Sequence, residues 1–376
     1  MTRIDIEPIA GGLDRPIAFH TPALPDIDGF LSDARAIIES GRLSSGPYVA
    51  TLEERLRPWL GDRSVVAVSN ASDGLIAALS VLARPGCEVI VPGYTYLATW
   101  QAITWAGMVP VVADVDDDGL LDPSAVEAAM TPRTGAILAV HLTGNLAPVA
   151  ELRALADRAG AIVITDAAHA LGAATEDRTE DWIGDAGVFS IGATKQVAAG
   201  EGGAVALRDA AIMPAFRRWA HQGHAPSVID ATGPGMNLRL AELTAALALR
   251  QLDGLAGQVR RRRDIHERYM AGISDLPVRL SGERPGTCSA FKDQLLWVDA
   301  ASDRDGLRGA LAAAGIETRP YYDVAVPDLT AFSGIVASAD RSRDLAARSF
   351  AIPIHPRLTD GDVTRVIESI HRFYRA

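Results

Sequence analysis

The segment Ser190-Ile-Gly-Ala-Thr-Lys195 ends in one of only two lysines in the chain. Lysine and arginine together number 36, so 34 of them are arginine. A sequence that uses arginine wherever a cation suffices keeps lysine where arginine cannot serve, and arginine cannot form an imine with a carbonyl. The ordinary fate of a lysine is a solvated surface charge. Here the lysine follows an apolar run, Ala161-Ile-Val-Ile-Thr165, that delivers Asp166-Ala-Ala-His169. A lysine for an imine, a carboxylate for a ring nitrogen and donors for a phosphate together match the needs of pyridoxal phosphate.

The donors are sought at other strand ends. Ser69-Asn-Ala-Ser72-Asp73-Gly74 lies between an apolar run and a helical pattern, where a helix N-terminus favours an anion. The plain reading of Ser72 and Asp73 is helix capping. Tyr96, in Pro92-Gly-Tyr-Thr-Tyr96, has the shape to stack on a flat ring or simply to pack. Asp166 either bonds a pyridinium nitrogen or caps the next helix. His169 either meets the ring and its phenolic oxygen or is a structural donor. Ser190 is a second phosphate donor, and Ala199-Gly-Glu-Gly-Gly203 lets the backbone turn tightly behind the lysine. Each signal is modest alone; their order on successive strand ends is specific.

The elements that must position these residues read as an alternation of strands and helices. Helices are expected at Ile27–Ser40, Asp73–Leu82, Leu97–Ala106 and Val149–Arg158. Strands are expected at Val65–Val68, Glu88–Val91, Val109–Val112, Ala136–Val140, the run to Thr165, Val188–Ser190 and Gly203–Leu207. This rhythm predicts an α/β fold with a mostly parallel seven-stranded sheet sandwiched by helices. Leu238 to about Met270 reads as one long helix bridging to a smaller C-terminal α+β domain. That domain holds a strand at Gln294–Val298 and helices at Asp303–Ala314 and Asp360–Phe373. The domains are drawn at 1–254, with an extended segment at 1–26 set by Pro16, Pro22 and Pro25, and at 255–376.

Bulk properties exclude several classes. At 376 residues, 48% apolar and 22% charged, the chain can bury a large core. A net charge of −11 argues against a nucleic-acid partner. The one basic run, Arg260 to Arg263, reads as the solvated face of a helix. Cys87 and Cys288 fit no metal or redox spacing, and no metal is expected. With no apolar leader and no membrane-length run, a cytoplasmic protein is expected. No G-x-G-x-x-G follows the first strand, which weighs against a nicotinamide-dependent dehydrogenase.

Taken together, the chain resembles the DegT/DnrJ/EryC1/StrS family of pyridoxal-phosphate-dependent sugar aminotransferases, of fold type I. The likeness runs from Gly46-Pro-Tyr-Val49 to Pro353-Ile-His-Pro356-Arg-Leu-Thr-Asp360. It is most specific in Val91 to Thr99, Asp166 to Ala173, Ser190 to Lys195 and Gly200-Glu-Gly-Gly203. The resemblance implies that Lys195 forms the imine, Asp166 partners the ring nitrogen, His169 contacts the ring and Tyr96 stacks on it. Ser72, Asp73 and Ser190 would bind phosphate. Asn237, in Gly235-Met-Asn237-Leu-Arg-Leu240, would reach the phosphate of the neighbouring subunit, implying a homodimer.

The implied reaction moves an amino group from an amino acid, most often glutamate, through pyridoxamine phosphate to a ketone. That ketone would be a nucleotide-linked keto-sugar, or next a keto-cyclitol. A non-catalytic regulator that keeps the cofactor is the contrasting possibility, and the intact lysine, aspartate and histidine speak against it. Two departures stand out. Ala71-Ser72 replaces the family's common Gly-Thr, and Ile191-Gly192 replaces an aromatic or His, so the substrate pocket beside the lysine is expected to differ there. The retained lysine weighs against the family's dehydratase branch, which carries histidine instead.

Overall fold

A computed structural model of the chain describes residues 15–176, 181–224, 230–335 and 338–375. Seven strands form the central sheet: β1 (Ser64–Val68), β2 (Glu88–Pro92), β3 (Val109–Ala113), β4 (Thr134–Val140), β5 (Ile162–Asp166), β7 (Ala186–Ser190) and β8 (Gly203–Leu207). Between them in the chain lies the short β6 (Ala174–Thr175), which pairs with β10 (Thr287–Cys288). The sheet order is β1-β8-β7-β5-β4-β2-β3. Pairing is parallel except at β8, antiparallel to both β1 and β7. The predicted mostly parallel sheet is therefore present.

Its inner strands are mostly apolar because both faces are covered, with polar residues such as Glu88, Thr134 and Asp166 at strand ends. Along β1, Val66 and Val68 enter one core with Val91 and Leu138. Val65 and Ala67 enter another with Phe189 and Ala206. Farther along the second face, Ile90 and Ile137 pack with Leu152 and Val163. This two-residue alternation is the pleat itself. The predicted helix Ile27–Ser40 ends at Gly41, whose φ of 70° gives the left-handed cap glycine favours.

A second sheet, β12-β13-β11-β9, gathers Arg319–Pro320, Ser349–Ile352, Gln294–Val298 and Val278–Leu280. Residues 15–26 are extended and Ile17 bridges Ile316, so this segment joins the C-terminal sheet side. Residues 1–14 of the expected extended segment lie outside the described residues.

Two expectations need correction. The long helix is two, Glu242–Leu252 and Leu255–Gly272, separated at Asp253-Gly254, and residues 238–241 precede both. The break lets the second helix start in the central core at Leu255 and end in the C-terminal core at Ile265 and Tyr269. The basic run on that helix is also not a solvated face. Arg262 falls on the buried stripe with Gln258, Ile265 and Tyr269, and is 1% exposed. Its guanidinium donates to the carbonyls of Phe291, Lys292 and Ile354.

Candidate active site

Six strands, all but β8, run the same way and end at one edge of the sheet, the edge where an open α/β fold binds ligands. The loop 191–202 leaves β7 and re-enters β8 at this same edge, and a turn bonded from Lys195 N–H to the Gly192 carbonyl presents the lysine. Gln196 Nε2 donates to the His169 carbonyl at 2.6 Å, locking the lysine turn to the segment after β5. The loop closes tightly only because of glycine. A Cβ on Gly203 would stand 2.8 Å from the Phe189 carbonyl oxygen and 2.9 Å from the Ala71 nitrogen. Strand β8 can therefore lie directly against the turn that starts the helix Ala71–Leu82.

These elements enclose a cavity of about 560 Å³. Lys195, Asp166, His169, Ser190, Ser72 and Tyr96 all line it, so six of the eight predicted site residues converge. Asp73 and Asn237 do not. The Asp73 carboxylate turns back to accept from Ser69 Oγ at 2.9 Å and Asn70 Nδ2 at 2.7 Å, while the Asn70 side chain caps the helix at Asp73 N. A carboxylate so held cannot cradle an anion; Asn70 and Ser72 face the cavity instead. Asn237 lies elsewhere, accepting from Arg239 Nε at 2.9 Å.

Asp166 is 8% exposed and accepts from the Thr99 hydroxyl at 2.7 Å and the Ala168 N–H at 3.2 Å. Burial raises its pKa, and those two donors and Lys195 oppose the rise. A buried carboxylate with neutral hydrogen-bond partners calls for a cationic one, which a protonated ring nitrogen supplies. Burial, then the Lys292 charge, lowers the Lys195 amine to about 8. The amine is half-buried, and no hydrogen bond or ion pair within the described residues ties it down. His169 is driven well below its usual range by burial, then by Lys195 and Lys292, so its ring is neutral. Ser190 Oγ accepts from the Gly192 N–H at 3.2 Å and keeps its own proton to donate. An aldehyde-bearing pyridine with a phosphate fits this set of groups.

Several lining residues were not singled out from the sequence. Phe19 and His20 come from the extended segment, held by the Phe19 N–H on Glu317. Lys292 and Asp293 come from just before β11, and Tyr322 from beyond β12. Lys292 did carry a signal, since it is the only other lysine. Arg319 and Tyr321 also line this cavity. His221, His224 and Arg239 line a separate one of about 710 Å³ together with Arg217, Arg218 and Glu53. Ile191 is corrected too: its side chain is 1% exposed in the core, against Gly202, and only Gly192 of that pair lines the lysine cavity.

Among the described residues no helix is long and apolar enough to cross a membrane. The sequence pattern of the DegT/DnrJ/EryC1/StrS aminotransferase family matches residues 26–371. The dTDP-3-amino-3,4,6-trideoxy-alpha-D-glucose transaminase of Streptomyces venezuelae is 33% identical over 371 residues, covering 94% of this chain and 97% of that protein. The crystal structure of S. venezuelae DesV superposes with a TM-score of 0.88 at 32% identity, covering 92% of this chain and 94% of that one. DesI, solved with its TDP-sugar product, gives 0.89 at 34% identity over 96% and 94%. A sugar aminotransferase of Streptococcus pneumoniae, 25% identical over 96% of this chain and 99% of its own with a TM-score of 0.89, is known in a pyridoxal-phosphate form. The chain belongs to the DegT/DnrJ/EryC1/StrS aminotransferase family.

Proposed function

We propose that this aminotransferase carries an amino group from an amino acid, glutamate first, to the keto carbon of a nucleotide-linked sugar, with Lys195 as its reactive amine. The observation that carries the reading is the placement of an amine lowered to about 8 in one cavity with a buried carboxylate, Asp166. Pyridoxal phosphate, when bound, supplies an electrophilic carbonyl and an electron-withdrawing ring. Asp166 would hold the ring nitrogen protonated, and the Thr99 hydroxyl aims that carboxylate and favours its ionised form against the rise that burial causes. Ser190, Ser72 and Asn70 donate to the phosphate, assisted by the N-terminus of the helix Ala71–Leu82. Tyr96 and His169 flank the ring. The Lys195 amine, lowered to about 8, would move the proton at the substrate carbon. Relatives named for dTDP- and TDP-sugars support the substrate class.

The same reading takes the working unit as a homodimer. Asn237 lies apart from Lys195 within its own chain, next to Arg239 on the larger cavity, as a residue serving a neighbour would. Residues 1–254 form the cofactor-binding part and 255–376 the smaller part, with residues 15–20 seated on the latter. Free Cys87 and Cys288 suit a cytoplasmic setting.

The test is a panel of nucleotide-linked and cyclitol ketones assayed with glutamate, beside borohydride trapping. Cofactor fixed to Lys195 and turnover of a nucleotide-linked ketone are expected. Undiminished turnover by Lys195→Ala would sink the mechanism. Turnover confined to cyclitols would replace the substrate.

A further inference from the structure

Lys292 enters the chemistry above only through its charge on Lys195 and Asp293 not at all, yet both are buried in the wall of the same cavity, at 4% and 3% exposure. Lys292 Nζ lies 2.7 and 2.9 Å from the two Asp293 oxygens. Their backbone is pinned by Arg262, which donates to the Lys292 carbonyl at 3.0 Å. Taking both charges out of water is costly, and an apolar pair of similar size would hold a core at least as well. The pair also does not end in itself. The Tyr321 hydroxyl stands 3.1 Å from Asp293 Oδ2 and 3.2 Å from His169 Nδ1.

These distances fix where protons sit. Asp293, paired with Lys292, is held ionised and can only accept. The Thr143 N–H points at His169 Nδ1 at 3.3 Å, and a backbone N–H can only donate. His169 Nδ1 is therefore an acceptor, so toward it the Tyr321 hydroxyl can only donate, and Asp293 Oδ2 is a second acceptor within reach of that same proton. Both Tyr321 contacts, at 3.1 and 3.2 Å, are longer than the roughly 2.7–2.8 Å usual for a hydroxyl donor, lengths that a three-centre bond accommodates. The Lys292 ammonium holds both oxygens of that carboxylate, Oδ2 included, which weakens its pull on the Tyr321 proton.

We propose that Lys292, Asp293 and Tyr321 form a positioning chain that keeps the His169 proton on Nε2, as a donor available to the cofactor. The charged and titratable groups acting on His169 are Lys195 from the lysine turn, Lys292 and Asp293 from just before β11 and Tyr321 from beyond β12. The inference rests on His169 facing the cofactor, and its test reads protons rather than turnover. A failure to transaminate any ketone would leave it standing.

Neutron diffraction from deuterium-exchanged holoenzyme is the direct test. Deuterium is expected on His169 Nε2 and absent from Nδ1, with the Tyr321 deuteron directed between Asp293 and His169. Deuterium on Nδ1, or a Tyr321 hydroxyl turned elsewhere, overturns the proposal. A second measurement follows the pH midpoint of the bound cofactor's visible absorption. Tyr321→Phe keeps the ring packing and removes the shared proton. It and Lys292→Met are expected to move the midpoint by about half a pH unit or more, with Lys292→Arg nearer the parent. An unmoved midpoint in Tyr321→Phe would equally overturn it.

Discussion

Burial and the Lys292 charge lower the Lys195 amine to about 8, and this sets a pH window for its reactivity. Below that value the amine is protonated and cannot attack; above it the lone pair is free. Capture of pyridoxal phosphate by cofactor-free enzyme should therefore quicken as pH rises through about 8 and then level off, as stopped-flow absorbance would record. Lys292→Met removes a like charge and leaves Asp293 unbalanced. Both effects raise the Lys195 pKa, so the inflection should move to higher pH. Thr99→Val takes one donor from buried Asp166; cofactor affinity should fall about tenfold by equilibrium dialysis, matching a charge-assisted bond of about 1.4 kcal/mol. At this scale the sequence was legible where a residue type was rare or stood at a strand end, as with Lys195, Asp166 and Ser190. The rarity argument applied equally to Lys292, but nothing in its sequence surroundings showed that it was buried. Ile191 misled because sequence adjacency to a cavity does not say which way a side chain points.

The elements were read well where both faces are covered, since an apolar run bounded by polar turns then has one interpretation. β4, β5 and β8 are of this kind. The short strands of the C-terminal sheet, such as Arg319–Pro320, are too brief to leave a pattern. The helix Leu255–Gly272 shows how period overrides composition: Gln258, Arg262, Ile265 and Tyr269 are one stripe, and an arginine on that stripe goes inside. Arg262→Met should leave three carbonyls short of a donor and cost about 3 kcal/mol or more, seen as a lower urea midpoint with an unchanged slope. Gly203→Ala is a sharper test of the sheet edge. Its Cβ meets backbone on two sides, so the Asn70–Ser72 turn must retreat. Cofactor retention on gel filtration should drop by about tenfold or more, the 1–3 kcal/mol expected of overpacking.

For the whole molecule, the separation of Asn237 from Lys195 yields a prediction that no single-chain property can mimic. If each site borrows Asn237 from a neighbour, Asn237→Ala and Lys195→Ala enzymes are each defective, yet a mixed dimer contains one site with both residues intact. Unfolding and refolding the two variants together should restore activity toward a quarter of the parent level, and refolding them apart should not. Recovery no greater than the sum of the separate variants would mean that Asn237 serves its own chain or none.

The sheet order also dictates when the site comes into being. β1 lies at an edge and pairs only with β8, Ser64 opposite Leu207, although β1 leaves the ribosome long before β8. Until then its unpaired edge and two apolar faces wait without a hydrogen-bonding neighbour, a slow, non-local closure. The Asn70–Ser72 turn and the lysine turn are completed in that one event, so the cofactor has affinity only for the finished sheet and stabilises nothing earlier. In a cell short of vitamin B6 the sheet would then close as readily as before, and the deficit would surface afterwards, as finished enzyme waiting for its cofactor without the added stability that binding brings.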